Sequence, residues 1–361
     1  KRQGENQPYG RVFSEISGKL YPYQHPYSWP VIGTMEDLNA ASLDDIKEWY
    51  RTYYGPNNAV ISLAGDITPE RALELVKKYF DGIAPGPPLP RTEKWIPALE
   101  RSIRDEMQDR VPQARIYRAY HAPTWREKQL QHLSLFADVL AGSKSARLGR
   151  RLVYEKEMAT DVGAFVREGE LSGEFYIIVT VKPGVEPAVV EREMDAVVNE
   201  LLEKGPTAEE LRRAQSRDLA DFLRGAERLG GFGGRSDILA QSQTYGGSPD
   251  FYLDRLEWMA TATPADVKTT ANQWLKANHY TMLVKPLERL SAGKTDIDRK
   301  QLPALSAPPE ITFPDVQRAK LKNGLNVILL ERRSAPIVNV ALAVDAGISS
   351  DSKAKAGLAT L

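Results

Sequence analysis

No cysteine occurs among the 361 residues. Disulfides, thiolate nucleophiles and cysteine-ligated metals are therefore excluded within this chain. Histidine is almost as scarce, with four residues: His25, His121, His132 and His279. No two of them stand at the i, i+4 spacing that places a pair of imidazoles on one helix face. Neither sign of charge is in excess, since Lys+Arg and Asp+Glu both number 48. That argues against nucleic acid as the main partner, because binding phosphates draws on a basic surplus. No apolar run approaches the roughly 20 residues that span a bilayer.

What is present has the ordinary balance of a globular protein, 42% hydrophobic and 27% charged, and a length that calls for two or three domains. The chain opens Lys1-Arg2-Gln3-Gly4-Glu5 without an initiator Met and closes Gly357-Leu358-Ala359-Thr360-Leu361 inside an apolar pattern. Both ends are those expected of a piece cut from a longer protein.

Punctuation divides the chain. Leu20 to Gly33 carries Pro22, Pro26 and Pro30 among Tyr21, Tyr23, Tyr27 and Trp29, the composition of an ordered aromatic loop. Ser42, with Asp45 three residues on, opens a helix along which Ile46, Trp49, Tyr50 and Tyr53 recur at helical spacing. Gly55-Pro56-Asn57-Asn58 ends it, and the apolar run Ala59 to Ala64 predicts a strand. Thr68-Pro69-Glu70 starts a second helix, to about Phe80. Residues 81–98, with five prolines, predict a linker. Beyond it the pattern predicts a strand at 113–120, helices at 126–141 and 145–157, an antiparallel strand pair at 160–168 and 173–182, helices at 186–204, 207–228 and 235–244, a helix from Thr263 to about Ala277, and a strand from Tyr280 to Val284. After a second Pro-bearing polar stretch, 286–314, Val316 to Leu330 predicts a hairpin about Asn323-Gly324, and Ile337 to Val344 a further strand.

The chain repeats itself. A shift of 221 residues, without gaps, brings Ser42 onto Thr263, Asp45 onto Asp266, Ile46 onto Val267, Lys47 onto Lys268, Tyr53 onto Trp274, Asn57 onto Asn278, Ile61 onto Met282 and Leu63 onto Val284. Each copy has a hydroxyl N-cap, a helix, an Asn turn and a strand, as two domains of one fold would. The expected organisation is the C-terminal part of a first domain (1–95), a complete second domain (96–303), and a linker with the opening hairpin and strand of a third (304–361). The expected class is α+β, with an antiparallel-dominated sheet, helices packed on one side, and the arrangement repeated along the chain.

Several of these stretches resemble the pitrilysin/insulinase/mitochondrial-processing-peptidase family in its bacterial two-half form. They are Asn6-Gln7-Pro8-Tyr9-Gly10, Tyr21-Pro22-Tyr23-Gln24-His25-Pro26-Tyr27 with Pro30-Val31-Ile32-Gly33, and Tyr53-Tyr54-Gly55-Pro56-Asn57-Asn58-Ala59 leading to Ala64-Gly65-Asp66. Ala146-Arg147-Leu148 with Arg151-Leu152-Val153-Tyr154-Glu155, Leu321-Lys322-Asn323-Gly324-Leu325 and Val344-Asp345-Ala346-Gly347 extend the likeness over nearly the whole chain. The resemblance implies LuxS/metallopeptidase-like domains, two to a half, with halves that close around a chamber. It also implies a zinc endopeptidase in which His-x-x-Glu-His binds the metal and its Glu activates water. That motif and the third ligand, a Glu, would fall before Lys1, and Thr360 stands where an active third domain has its first His. The resemblance thus assigns no catalytic residue and no metal ligand here, and substrate-binding residues stay unknown. Zinc is expected only in the parent protein, with this chain inactive alone. The implied partners are the remaining domains of the parent polypeptide and a peptide substrate, without nucleic acid or a membrane span; homo-oligomerisation stays open. The implied compartment is the periplasm. The alternative is a non-catalytic scaffold or partner subunit of the same family.

Individual residues weigh toward structure. His25 in its aromatic loop, His121 after a strand and His132 in a helix read as packing residues, and Glu5 lies past the position of the zinc Glu. Gly230-Gly231-Phe232-Gly233-Gly234 lacks the Gly-Lys-Ser/Thr ending of a phosphate loop and follows a helix, so a tight helix junction is expected. Arg147, Arg151 and Tyr154 match in kind an Arg–Tyr pair that touches substrate, but read as core and surface residues of a helix.

Overall fold

The computed structural model describes residues 1–287, 315–331, 340–347 and 352. The chain divides into two units, Lys1–Leu290 and Ser291–Leu361. The first unit opens with α1 (Arg2–Glu5), α2 (Val12–Leu20), the aromatic loop, α3 (Met35–Ala40), α4 (Leu43–Tyr53) and α5 (Pro69–Phe80). Local chemistry starts the last three. Thr34 with Asp37, and Ser42 with Asp45, form reciprocal capping boxes, and Thr68 caps a helix that has Pro in its first turn. The strand expected at Ala59 to Ala64 does not form. A strand exists only against a neighbour's N–H and C=O groups, and no described strand pairs with this segment.

The rest of the unit runs β1 (Ile103–Asp109), β2 (Arg115–Ala122), α6 (Lys128–Ala141), a π-helical stretch (Gly149–Glu155), β3 (Ala159–Arg167), β4 (Gly173–Val181), α7 (Pro187–Lys204), α8 (Ala208–Ala226), α9 (Arg235–Gln241) continuing π-helically over Ser242–Gly246, α10 (Phe251–Thr261), α11 (Pro264–Leu275) and β5 (Tyr280–Pro286). The five strands lie in the order β1-β5-β2-β4-β3. Only β1–β5 is parallel; Ile103 pairs with Tyr280, and the other three pairings are antiparallel.

The two sheet faces are covered differently. On one, Ile116, Phe175, Ile177 and Leu283 meet α6, α7, α8 and α11 through Leu133, Phe136, Val190, Met194, Leu211, Val267 and Ala271, all buried. This is the helical layer that the sequence predicts. On the other, Tyr117, Ala119, Tyr176, Tyr280 and Met282 are covered by Val12, Ile16 and Leu20 of α2. A helix from the segment assigned by sequence to the first domain thus closes the sheet assigned to the second. Burying three such aliphatic side chains contributes about 1.5–3 kcal/mol each.

In the second unit, β6 (Val316–Lys320) and β7 (Asn326–Leu330) form the predicted antiparallel hairpin. Its connection is longer than a two-residue Asn-Gly turn. Leu321 N–H bonds Leu325 C=O at 2.9 Å, and Gly324 takes the positive φ of 90° that a β-carbon resists. Of the strand expected at Ile337 to Val344, residues 337–339 lie outside the described residues and 340–344 are not in a strand. Most of the stretch 286–314 and the segment from Gly357 to Thr360 also lie outside the described residues.

Candidate functional site

Several residues singled out in the sequence converge at one place, where the aromatic loop meets the β3–β4 turn and the Pro-rich segment. His25 is fully buried there. Its Nδ1 accepts the Tyr27 N–H at 3.0 Å, so Nε2 carries the hydrogen and donates to the Trp95 carbonyl at 2.9 Å. Tyr21 stacks on His25 with ring centroids 4.4 Å apart, and the Trp95 ring lies against it at 4.6 Å. Tyr27 Oη accepts the Leu171 N–H at 3.2 Å, and Tyr21 Oη donates to Ser172 Oγ at 3.3 Å. Tyr23 and Trp29 are exposed. The loop is a clasp: its rings and hydrogen bonds fasten the chain to the second-copy sheet, and both ring nitrogens of His25 are committed to holding it.

Beside the clasp, on the face that α2 covers, lies a buried carboxylate that sequence reasoning missed. Glu174 accepts from Tyr176 Oη at 2.6 Å and pairs with Arg167 at 3.3 Å. Burial, and then the Glu174 charge, push the Tyr176 hydroxyl well above its ordinary range. His121, opposite Glu174 across the ladder, is buried with neither ring nitrogen in a well-formed hydrogen bond. Burial holds its pKa down to about 4, with the Leu20 backbone opposing. The signal for Glu174 was there: an acid amid the near-continuous apolar run Gly173 to Val181 must be paired to be stable.

The other histidines are elsewhere. His132 Nδ1 lies 3.0 Å from Thr270 Oγ1 and ties α6 to α11. His279, between α11 and β5, packs on Tyr120 at 5.0 Å, and burial lowers it to about 4. Glu5 pairs with Lys1 at 2.9 Å. Among the described residues no three His, Cys, Asp or Glu side chains are grouped so as to hold a metal. Among these residues no donor set fits a catalytic zinc, which needs three protein ligands around one open position.

Two of the Arg–Tyr candidates, Arg147 and Arg151, line a cleft of about 760 Å³ between the π-helical stretch, α7 and the start of α8. Its cations are matched by acids. Arg147 makes a bidentate pair with Glu210 at 2.9 and 2.8 Å and also reaches the Gly205 carbonyl at 3.1 Å. Burial opposes ionisation of Glu210, but hydrogen bonds from Arg147 and the Thr207 N–H outweigh it and hold its pKa at about 2. Arg151 lies 3.7 Å from Glu155 and 3.5 Å from Glu193, Lys204 pairs with Glu200 at 2.8 Å, and Tyr154 is exposed. Of these pairs, Arg151–Glu193 links the π-helical stretch to α7, and Arg147–Glu210 links the residues just before that stretch to α8. The Gly-rich segment is the expected helix junction: Gly231 and Gly233 take φ of 77° and 73° between α8 and α9, and Gly233 N–H bonds Asp237 at 2.7 Å. A second charge missed in the sequence, Arg118 in the buried strand β2, pairs with Glu191 at 2.9 Å and with Asp195.

These buried and half-buried polar groups pair with one another and hold the packed domain together. A family model described as the peptidase M16 inactive domain matches residues 40–217, a stretch that runs across the Pro-rich segment. The zinc protease PqqE of Helicobacter pylori is 27% identical over 296 residues, covering 78% of this chain and 63% of that protein. A zinc protease of Streptomyces coelicolor, SCO5738, is 23% identical over 272 residues, covering 73% and 58%. The chain thus spans about three-fifths of the length of these curated relatives. Among solved structures, a protease from Helicobacter pylori superposes with a TM-score of 0.69 at 24% identity, over 79% of this chain and 68% of that one. A peptidase M16 inactive domain from Pseudomonas fluorescens superposes with a TM-score of 0.67 at 21% identity, over 79% and 67%. The fold is that of the M16-like peptidase domains among these structures. The chain is similar to the M16 peptidases, the family its motifs resemble, and the portion matched, residues 40–217, is similar to that family's inactive domain.

Proposed function

We propose that this chain is the scaffold portion of a zinc-dependent endopeptidase whose metal centre lies outside the 361 residues. The observation that carries the reading is an inactive-domain match in a chain similar to zinc proteases, with no group of three His, Asp or Glu side chains placed to hold a metal among the described residues. The proposed organisation is the tail of a first peptidase domain at 1–95, a second domain at 96–303 and the start of a third at 304–361. The remaining domains of the parent polypeptide supply the zinc ligands and the chamber for a peptide substrate. Export to the periplasm belongs to this proposal, on the resemblance to bacterial two-half members. No helix among the described residues is long and apolar enough to cross a membrane.

The test compares the 361-residue chain with the natural full-length protein. The chain alone is expected to retain no zinc after dialysis against a weak chelator and to leave a quenched peptide library uncut. The full-length protein is expected to hold about one zinc and to lose peptide hydrolysis when a strong chelator strips it. Chelator-sensitive hydrolysis by the 361-residue chain would overturn the assignment. A well-folded, zinc-free full-length protein would move it to a non-catalytic partner subunit.

A further inference from the structure

A cavity of about 220 Å³ opens among α6, α8, α9 and α10. Much of its wall is aromatic and apolar: Trp125 just before α6, Phe222 of α8, and Tyr252, Leu256 and Met259 of α10. Phe222 and Tyr252 stack, with ring centroids 5.9 Å apart and planes 17° from parallel. The remaining side is α9 and its π-helical continuation, which contribute Ile238, Gln241 and Ser242. Single π-helical turns are frequent at functional sites. Ser242 opens this one. It is 2% exposed, and its hydroxyl makes no hydrogen bond among the described residues. A buried hydroxyl without a partner is unfavourable, and a polar group bound beside it offsets the cost.

Charge and size narrow what fits. Among the described residues Arg255 is the one charged side chain that lines the cavity. It lies over the Trp125 ring, 4.3 Å from the centroid, and pairs with Glu168. Gln131 Oε1 accepts from its Nη2 at 2.8 Å and its Nε at 3.0 Å, in the amide orientation that satisfies both side chains. An anionic ligand would compete with Glu168 for this guanidinium, whereas a neutral one leaves the network intact. A cavity of about 150 Å³ holds benzene, so 220 Å³ has room for one substituted ring. The two sides are also fixed relative to each other. Arg126 donates to the Tyr245 carbonyl, and the Tyr245 ring meets Trp125 at 5.8 Å, which ties the Ser242 segment to the start of α6. A site held in this way is formed before its ligand arrives.

We propose that this cavity is a binding site for a small neutral molecule with one aromatic ring and one hydroxyl or amide group. The ring seats against Trp125, Phe222 and Tyr252, where aromatic pairs gain more than the area they bury. Met259, with its flexible and polarizable thioether, fits the wall to the ring edge. The polar group pairs with Ser242 Oγ. A serine hydroxyl donates one hydrogen bond and accepts others, so a phenol and an amide both satisfy it. The site uses none of the four histidines and does not depend on the zinc reading.

Ligand-observed NMR titration of the natural full-length protein with 4-methylphenol tests it, with benzoate as the charged comparison. The expected result is saturable binding of 4-methylphenol with a Kd of about 1 mM or tighter, and weaker binding of benzoate. No saturable binding of 4-methylphenol, or tighter binding of benzoate, would overturn the proposal. Two variants locate the site. Ser242→Ala is expected to weaken binding about fivefold, the worth of one neutral hydrogen bond. Met259→Trp fills the cavity and is expected to abolish binding while circular dichroism stays unchanged. A folded Met259→Trp protein that binds as before places the ligand elsewhere and sinks the proposal. So does an unchanged affinity in Ser242→Ala, which keeps the test decisive if the larger substitution prevents folding.

Discussion

At the scale of the residue, the buried imidazoles make stability depend on pH. His121 and His279 titrate near 4 in the folded chain, against about 6.5 unfolded. Between those values the unfolded chain binds more protons, so their contribution is complete above about 6.5 and is lost as pH falls toward 4. Asp218 acts in the opposite sense. Burial and then the Asp138 charge raise it to about 7, so its folded form holds a proton that the unfolded chain releases. Comparing a variant isolates the histidine effect. His121→Leu is expected to flatten the rise in urea-unfolding free energy between pH 4 and 6.5, and an unchanged slope would contradict the assignment. The roles of the four histidines were legible in part. Spacing showed only that no two of them stand at i, i+4. That His25 commits both nitrogens depended on Trp95, 70 residues away, which no local pattern connects to it.

At the scale of the element, legibility followed the locality of the cause. Ser42–Asp45 and Thr263–Asp266 could be read as helix starts because the whole capping interaction lies within four residues. Thr263→Ala should cost about 1 kcal/mol, read as a lowered midpoint in chemical denaturation. A loss below a few tenths would mean that tertiary packing alone holds the start of α11. Strand β1 escaped notice because Ile103-Arg104-Asp105-Glu106-Met107-Gln108-Asp109 is an edge strand with one wet face, rich in residues that disfavour sheets. Its existence depends on β5, 177 residues later in the register that pairs Ile103 with Tyr280. Residues 59–64 show the converse: a run with strand composition is irregular, and no described strand pairs with it.

At the scale of the molecule, the α+β class could be read directly, whereas the division of labour between segments could not. Proline composition separates 1–95 from the remainder of the chain, yet Val12, Ile16 and Leu20 complete the second-copy sheet. A protein beginning at residue 96 is therefore expected to expose Tyr117, Tyr176 and Tyr280 and to bind a hydrophobic dye. One beginning at residue 6 and ending at 290 should not. Equal dye binding by the two would show that α2 contributes nothing to the sheet.

The clasp has a mechanical consequence. The chain leaves the sheet just after His25 and returns to it at Trp95, and those two residues touch. Everything between them, α3 to α5 included, is a closed excursion with both ends moored at one point. Its two ends are held together by one hydrogen bond, from His25 Nε2 to the Trp95 carbonyl at 2.9 Å, which closes a loop spanning 70 residues.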